Sequence, residues 1–304
     1  MCVFANPVFD VSATKIFARL TGIGTQWLVY QMQYRSEVPN AMILPIPVKL
    51  PAREESVRFV DLSKSKRFFD ELINAFPPKH RISIGCSSEK TLGDRSSALK
   101  VHQVGNFIAS FVPTLDDFGR LDPQFVIPRA TWDLIPGYVN FGFAVFQLAE
   151  LEAQSHPMAF EFEIRNQDVF FPTVHIHDGE IHPQEEFDHL LFLQHAGFDS
   201  VVSGYQNWDV ADSATGFVRS RDVARRYCDF SNGIGIVDPD LLIHRLDMRG
   251  AFANEDKICQ IAGSPTLRSF NYRKYSWLMP WLVVLAGLAW FFNRRQQLKN
   301  LKKG

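Results

Sequence analysis

Residues 25–34, TQWLVYQMQY, alternate with a period of two. Trp27, Val29, Gln31 and Gln33 fall on one side of a pleat, and Leu28, Tyr30, Met32 and Tyr34 on the other. This alternation reads as a strand and biases the chain toward sheet. Residues 41–48, AMILPIPV, are apolar, but Pro45 and Pro47 cannot donate to a ladder and forbid a central strand beyond Leu44. Residues 104–112, 140–148 and 158–164 read as further strands. The 27 phenylalanines suit such strands, because aromatic side chains pack well on pleated, buried surfaces.

Helices are fewer. Residues 64–76 follow a Ser63 cap, place Phe68, Phe69, Leu72, Ile73 and Phe76 on an apolar stripe, and stop before Pro77 and Pro78. Residues 219–230 form a second, weaker helical pattern. Residues 83–97 are polar and Ser/Gly-rich, which makes a loop, and 116–136 reads as short helical turns broken by prolines. No repeat or heptad run is present. The predicted fold class is α+β, mainly antiparallel sheet in a sandwich-like arrangement with a few helices at its edges, forming one globular body over 1–270.

Residues 277–292, WLMPWLVVLAGLAWFF, carry no charge, and Tyr275 and Ser276 extend the run to 18. That is close to the ~20 apolar residues a spanning helix needs. Trp277, Trp281 and Trp290 sit near its ends, where aromatic belts form, and Arg294 and Arg295 open a basic tail over 293–304. The reading is a transmembrane helix over 275–292, giving a single-pass, tail-anchored chain with membrane lipid as a partner. No secretory signal is read at the start of the chain, which places the bulk domain in the cytoplasm. The basic tail argues for the opposite orientation.

The charges decide little else. Lys plus Arg is 32 against 33 for Asp plus Glu, a net charge of −1, so no basic field draws nucleic acid. The four cysteines, Cys2, Cys86, Cys228 and Cys259, are widely and irregularly spaced and contain no CxxC, so they read as free thiols.

Chemistry concentrates in 171–195, FPTVHIHDGEIHPQEEFDHLLFLQH, which holds five of the nine histidines. His175 and His177, two apart, share a face on a strand, as do Phe187, His189, Leu191, Leu193 and His195. Gly179 and Pro183 suggest a turn between the runs. A hairpin pairing 173–177 with 187–193, with opposed residue numbers summing to about 364, would set His175 opposite His189, with Cβ atoms ~4.5–5.5 Å apart. Imidazole is the commonest metal ligand, so His175, His177 and His189 are candidate ligands for a divalent metal, with Asp178, Glu180 or Asp188 to complete the site. The spacing is not that of cupins, of HxHxDH hydrolases or of HExxH. HxH followed by Asp resembles metal-dependent amidohydrolases, which need a βα barrel that the pattern lacks. The plainer reading is a polar hairpin face whose histidines hydrogen-bond one another.

Cys2 is a second candidate. Removal of Met1 would make it an N-terminal nucleophile with its own amine as base. MCVF resembles the start of choloylglycine-type hydrolases, but their following Arg with a nearby Asp is missing, since Arg19 has no Asp close after it. GxSxG, GxxxxGK[ST] and GxGxxG are absent. Asp116, Asp117 and Asp122 beside Arg120 read as a solvated turn.

The early Cys2, the strand ending in Tyr34, the Leu-Pro-x-Pro segment at 44–47 and the apolar C-terminal run resemble an uncharacterised bacterial domain family. The resemblance covers roughly the first 50 residues and the tail, and implies no activity. Together these features predict a membrane-anchored binding or scaffolding domain with a protein partner. The alternatives are a metal-dependent hydrolase or metal-binding protein built on the histidine hairpin, and an N-terminal-cysteine amidase.

Overall fold

The computed structural model describes residues 2–76, 101–202 and 211–270, apart from residues 106, 128, 149, 179 and 232. The first strands are β1 (Cys2–Phe4), β2 (Asp10–Leu20), β3 (Thr25–Arg35), β4 (Asn40–Ile46) and β5 (Val57–Asp61), followed by helix α1 (Phe68–Asn74). Then come β6 (Val101–Val104), β7 (Phe107–Val112), α2 (Arg129–Asp133), β8 (Gly142–Leu148), β9 (Glu152–Gln154) and β10 (Met158–Glu163). The chain continues through β11 (Val169–Phe171), β12 (His175–Ile176), β13 (Gln184–Gln194), α3 (Ala196–Asp199) and β14 (Val218–Val223). It ends with β15 (Leu242–Ala253), β16 (Asp256–Gln260) and β17 (Thr266–Phe270).

A six-stranded sheet has the order β12-β1-β4-β8-β7-β6. The larger sheet runs β14-β15-β13-β2-β3-β10-β5, with β9 beside β3, and a small third sheet runs β11-β16-β17. The fold is therefore β-rich with few helices. The two large sheets face each other across the main core, where Phe146 packs on Phe160 and Phe59 with ring centroids 5.9 and 5.6 Å apart. Phe143 lies on the opposite face of β8, against Trp132 and Phe118 of the helical turns over 115–138. The outer face of the larger sheet carries a second cluster, in which Phe69 and Leu72 of α1 cover Phe17, Val29 and Phe192. The result is four layers, which is why strands such as β4 and β8 are buried on both faces. Each fully buried large apolar side chain contributes ~1.5–3 kcal/mol relative to exposure.

Strand β3 keeps the predicted faces: Leu28, Tyr30, Met32 and Tyr34 enter the main core, and Trp27 and Val29 the outer cluster. The proline argument holds for neighbours, though not for length. β4 runs to Ile46, but β1 pairs only with Met42 and Ile43, so Pro45 lies beyond β1 and is bonded on one side alone, to β8. The strand predicted over 104–112 begins later, as β7 at Phe107; Val104 ends β6, which pairs with β7, and Gly105 at φ 59° follows it. The helix predicted over 64–76 is confined to α1, with Arg67 at its N-cap and no side-chain cap. The helix predicted over 219–230 is corrected: 218–223 is β14, an edge strand on β15, followed by one tight turn over Ala224–Arg226. Pairing with β15 outweighs the local pattern there.

The membrane expectation is also corrected. Among the described residues no helix is long and apolar enough to cross a membrane; the longest, α1, has seven residues. Apolar residues here are spent in strands of at most 12 residues, where a spanning helix needs ~20. The segment 275–292 with Trp277, Trp281 and Trp290, the tail with Arg294 and Arg295, and the loop predicted over 83–97 lie outside the described residues. The single-pass, tail-anchored assignment is withdrawn, and with it the lipid partner and the membrane localisation of the chain.

Candidate functional site: a buried histidine cluster

The histidines predicted to share a hairpin sit in different sheets. β12 pairs in parallel with β1, placing His175 opposite Cys2. β13 pairs antiparallel with β15, placing His189 opposite Met248, and in parallel with β2. The predicted pairing of 173–177 with 187–193 is thus corrected, since each run has a more distant partner strand. Yet the rings meet across the main core. His175 Nε2 lies 2.8 Å from His189 Nε2, and the His175 ring centroid is 4.6 Å from both His177 and His189. Phe187 packs on both His175 and His189 at 4.8 Å, and Phe4 meets His177 edge-on at 5.8 Å.

His175 is 2% exposed and His189 0%. Burial, reinforced by the neighbouring imidazoles, holds His175 well below the usual histidine range. Burial brings His177 down to about 4 and His189 down to about 3. The rings are therefore neutral at physiological pH. A neutral imidazole has one donor and one acceptor nitrogen, so the Nε2–Nε2 bond needs opposite tautomers. Either choice leaves Nδ1 of His189, and likewise Nε2 of His177, buried without a partner. Such an orphan costs ~1–3 kcal/mol.

Asparagine and aspartate side chains fix the backbone of this segment. Asn254 Oδ1 accepts from His175 N–H at 2.8 Å, while Asn254 Nδ2 donates to the carbonyls of His175 and His182 at 2.8 and 3.0 Å. Asp256 accepts from the N–H groups of Thr173 and Val174 at 2.8 and 2.9 Å, and from the Tyr138 hydroxyl at 2.6 Å. Nearby, the Gln26 amide clamps Phe170 through both its backbone groups, at 2.7 and 2.9 Å.

The carboxylates proposed as co-ligands point elsewhere. Asp178 is exposed and bonds His182 at 2.9 Å and Glu180 N–H. Asp188 follows Phe187 on β13 and accepts from Ala13 N–H. Glu180 is exposed. Among the described residues no three His, Cys, Asp or Glu side chains are grouped to hold a metal ion. His195 leaves the cluster and caps α3, its Nδ1 accepting from Gly197 N–H at 3.0 Å. The backbone of Cys2 lies beside His175 in the ladder. The acidic turn is a surface network: Arg120 pairs with Asp117 and Glu54, and Asp116 with Arg129.

One polar pair escaped sequence reasoning. His244 of β15 is fully buried, and its Nε2 lies 2.7 Å from Asp199, whose other oxygen accepts from Leu242 N–H at 3.2 Å. The only sequence signal was an isolated histidine in the alternating run LIHRLDM.

No family model matches the chain, and no curated protein does. Several solved structures resemble it. The crystal structure of baculovirus P35 covers 89% of this chain and 100% of its own, at 14% identity and a TM-score of 0.40. A mutated baculovirus P35 after caspase cleavage covers 86% and 100%, at 12% identity and a TM-score of 0.41. The complex of caspase-8 with P35 covers 83% and 97%, at 11% identity and a TM-score of 0.42. Likeness at this level sets neither a family nor an activity for the chain.

Proposed function

We propose that the chain is a non-catalytic binding or scaffolding domain for a protein partner. The observation that carries this reading is the enclosure of its main chemistry-bearing cluster. His175 and His189 bond each other at 2.8 Å inside the core, ringed by Phe187 and His177, and act there as packing elements. Catalysis needs groups that meet a substrate in an accessible cavity.

The test has two arms. The purified full chain is analysed for bound metal and mixed with candidate proteins in size-exclusion chromatography with light scattering. Caspase-8, which forms a complex with P35 in one of the similar structures, is one candidate. The expected result is no stoichiometric metal and a stable complex with a protein. One tightly held metal ion per chain, lost in His175→Ala, overturns the reading.

A divalent metal at His175, His177 and His189 is the second reading. It is favoured by the two orphaned buried nitrogens, Nε2 of His177 and Nδ1 of His189. The cysteine amidase reading requires Cys2 to be the first residue, so an intact mass that retains Met1 ends it.

A further inference from the structure

On the outer face of the larger sheet a cleft of about 710 Å³ opens between residues 62–68 at the start of α1 and residues 228–231 and 234–237. That volume falls within the ~300–1,000 Å³ typical of small-molecule sites. Its walls divide by chemistry. Phe68, Phe230 and Ile236 supply apolar surface, and Lys64 and Arg67 supply positive charge.

The two carboxylates in the wall, Glu71 and Asp229, are turned to backbone and hydroxyl donors and are outnumbered by Lys64, Lys66 and Arg67. Glu71 accepts from Asp229 N–H at 2.9 Å, and Asp229 accepts from the N–H and hydroxyl of Ser231, both at 2.9 Å. Just outside, Asp61 accepts from Ser63 N–H at 2.8 Å. Among the described residues neither Lys64 nor Arg67 forms a salt bridge within 4 Å, and Lys64 interacts electrostatically with Asp61. Cys228 lines the cleft as a neutral thiol, since burial pushes it up to about 12, so it adds apolar wall and no nucleophile.

We propose that this cleft binds a small amphiphilic anion, with a carboxylate or phosphate head held by Lys64 and Arg67 and an apolar tail lying on Phe68, Phe230 and Ile236. A neutral apolar ligand would gain the tail contacts but nothing from the two cations. An anion gains charge-assisted hydrogen bonds as well, which are stronger than neutral ones. The guanidinium of Arg67 can grip either head with two parallel donors.

The test is calorimetric titration of the full chain with dodecanoate, dodecyl phosphate and dodecanol, each below its micellar or solubility limit. One saturable site is expected for the anions, with dodecanol at least about tenfold weaker. The Lys64→Glu/Arg67→Glu double variant should weaken both anions by about tenfold or more and leave dodecanol unchanged. Phe230→Ser should weaken all three. Lys64 and Arg67 are exposed, so these variants should keep the parent unfolding midpoint, and the single Lys64→Ala and Arg67→Ala variants give the same readout with less disturbance. A preference for dodecanoate or for dodecyl phosphate assigns the head group. Absence of saturable binding, equal binding of dodecanol and dodecanoate, or anion binding unchanged in the double variant each overturns the proposal.

Discussion

The carboxylate of Asp188 accepts a hydrogen bond from the backbone N–H of Ala13, the one non-glycine residue with positive φ, 50°, among those described. The two lie 175 positions apart, and the bond pins the irregular stretch of β2 between Ser12 and Lys15, where its pairing with β3 shifts. A left-handed conformation costs an L-residue ~1–2 kcal/mol, and glycine avoids most of that at a smaller entropic cost. Ala13→Gly should therefore stabilise the protein by roughly 0.5–1 kcal/mol in urea unfolding. Asp188→Ala should destabilise it by about 0.5–1.5 kcal/mol, because the Ala13 N–H exchanges its carboxylate acceptor for water.

Asn254 supplies three hydrogen bonds to the segment that carries His175. Asn254→Ala leaves one N–H and two carbonyls without partners. The expected loss is about 3 kcal/mol or more, read as a fall in the denaturant midpoint at unchanged m-value.

Asp256 gathers three donors, two backbone and one phenolic, at a fully buried position. Asp256→Ala should cost more than Tyr138→Phe, which removes one donor and leaves the two backbone bonds in place. We expect a difference of at least about 1–2 kcal/mol between the variants in thermal or urea unfolding.

The histidine cluster gives the stability a direction with pH. In the unfolded chain these rings protonate near the ordinary value of about 6.5. In the folded protein His177 stays neutral down to about 4 and His189 to about 3. Between those limits the unfolded state binds more protons, so stability falls as pH drops from about 6.5 toward 3, and the rings add no slope above about 7. Replacing both partners, as in His175→Leu/His189→Leu, should make this acid limb shallower, leaving the share that His177 contributes. It should be near neutral or stabilising at pH 7, because the orphaned Nδ1 of His189 disappears with its ring. An undiminished acid slope in the double variant would place the titration elsewhere.

Much of this core was legible one strand at a time. The alternation in residues 25–34 set the two faces of β3 correctly, and the spacing of His175, His177, Phe187 and His189 marked all four as a cluster. Alternation fixes which face a side chain takes but carries no information about which strand lies opposite. The histidines meet although the hairpin expected to join them does not form, because β12 and β13 lie in two different sheets. Residues 218–223 show the same limit from the other side, since only the distant β15 explains why they are extended. The polar clamps of Gln26, Asn254 and Asp256 leave no periodic trace, because each serves backbone groups far away in sequence.

Two parallel pairings join the start of the chain to its second half: β1 to β12, with Cys2 beside His175, and β2 to β13, with Leu190 beside Lys15. Cys2 and His175 are 173 positions apart (175 − 2). A ribosome adding ~5–20 residues per second needs roughly 9–35 s to cover that stretch. During that interval β1 and β2 each lack a bonding neighbour that the finished sheets provide. An apolar amino-terminal strand waiting that long is a natural client for a chaperone, and the yield of folded protein should depend on elongation speed as much as on final stability.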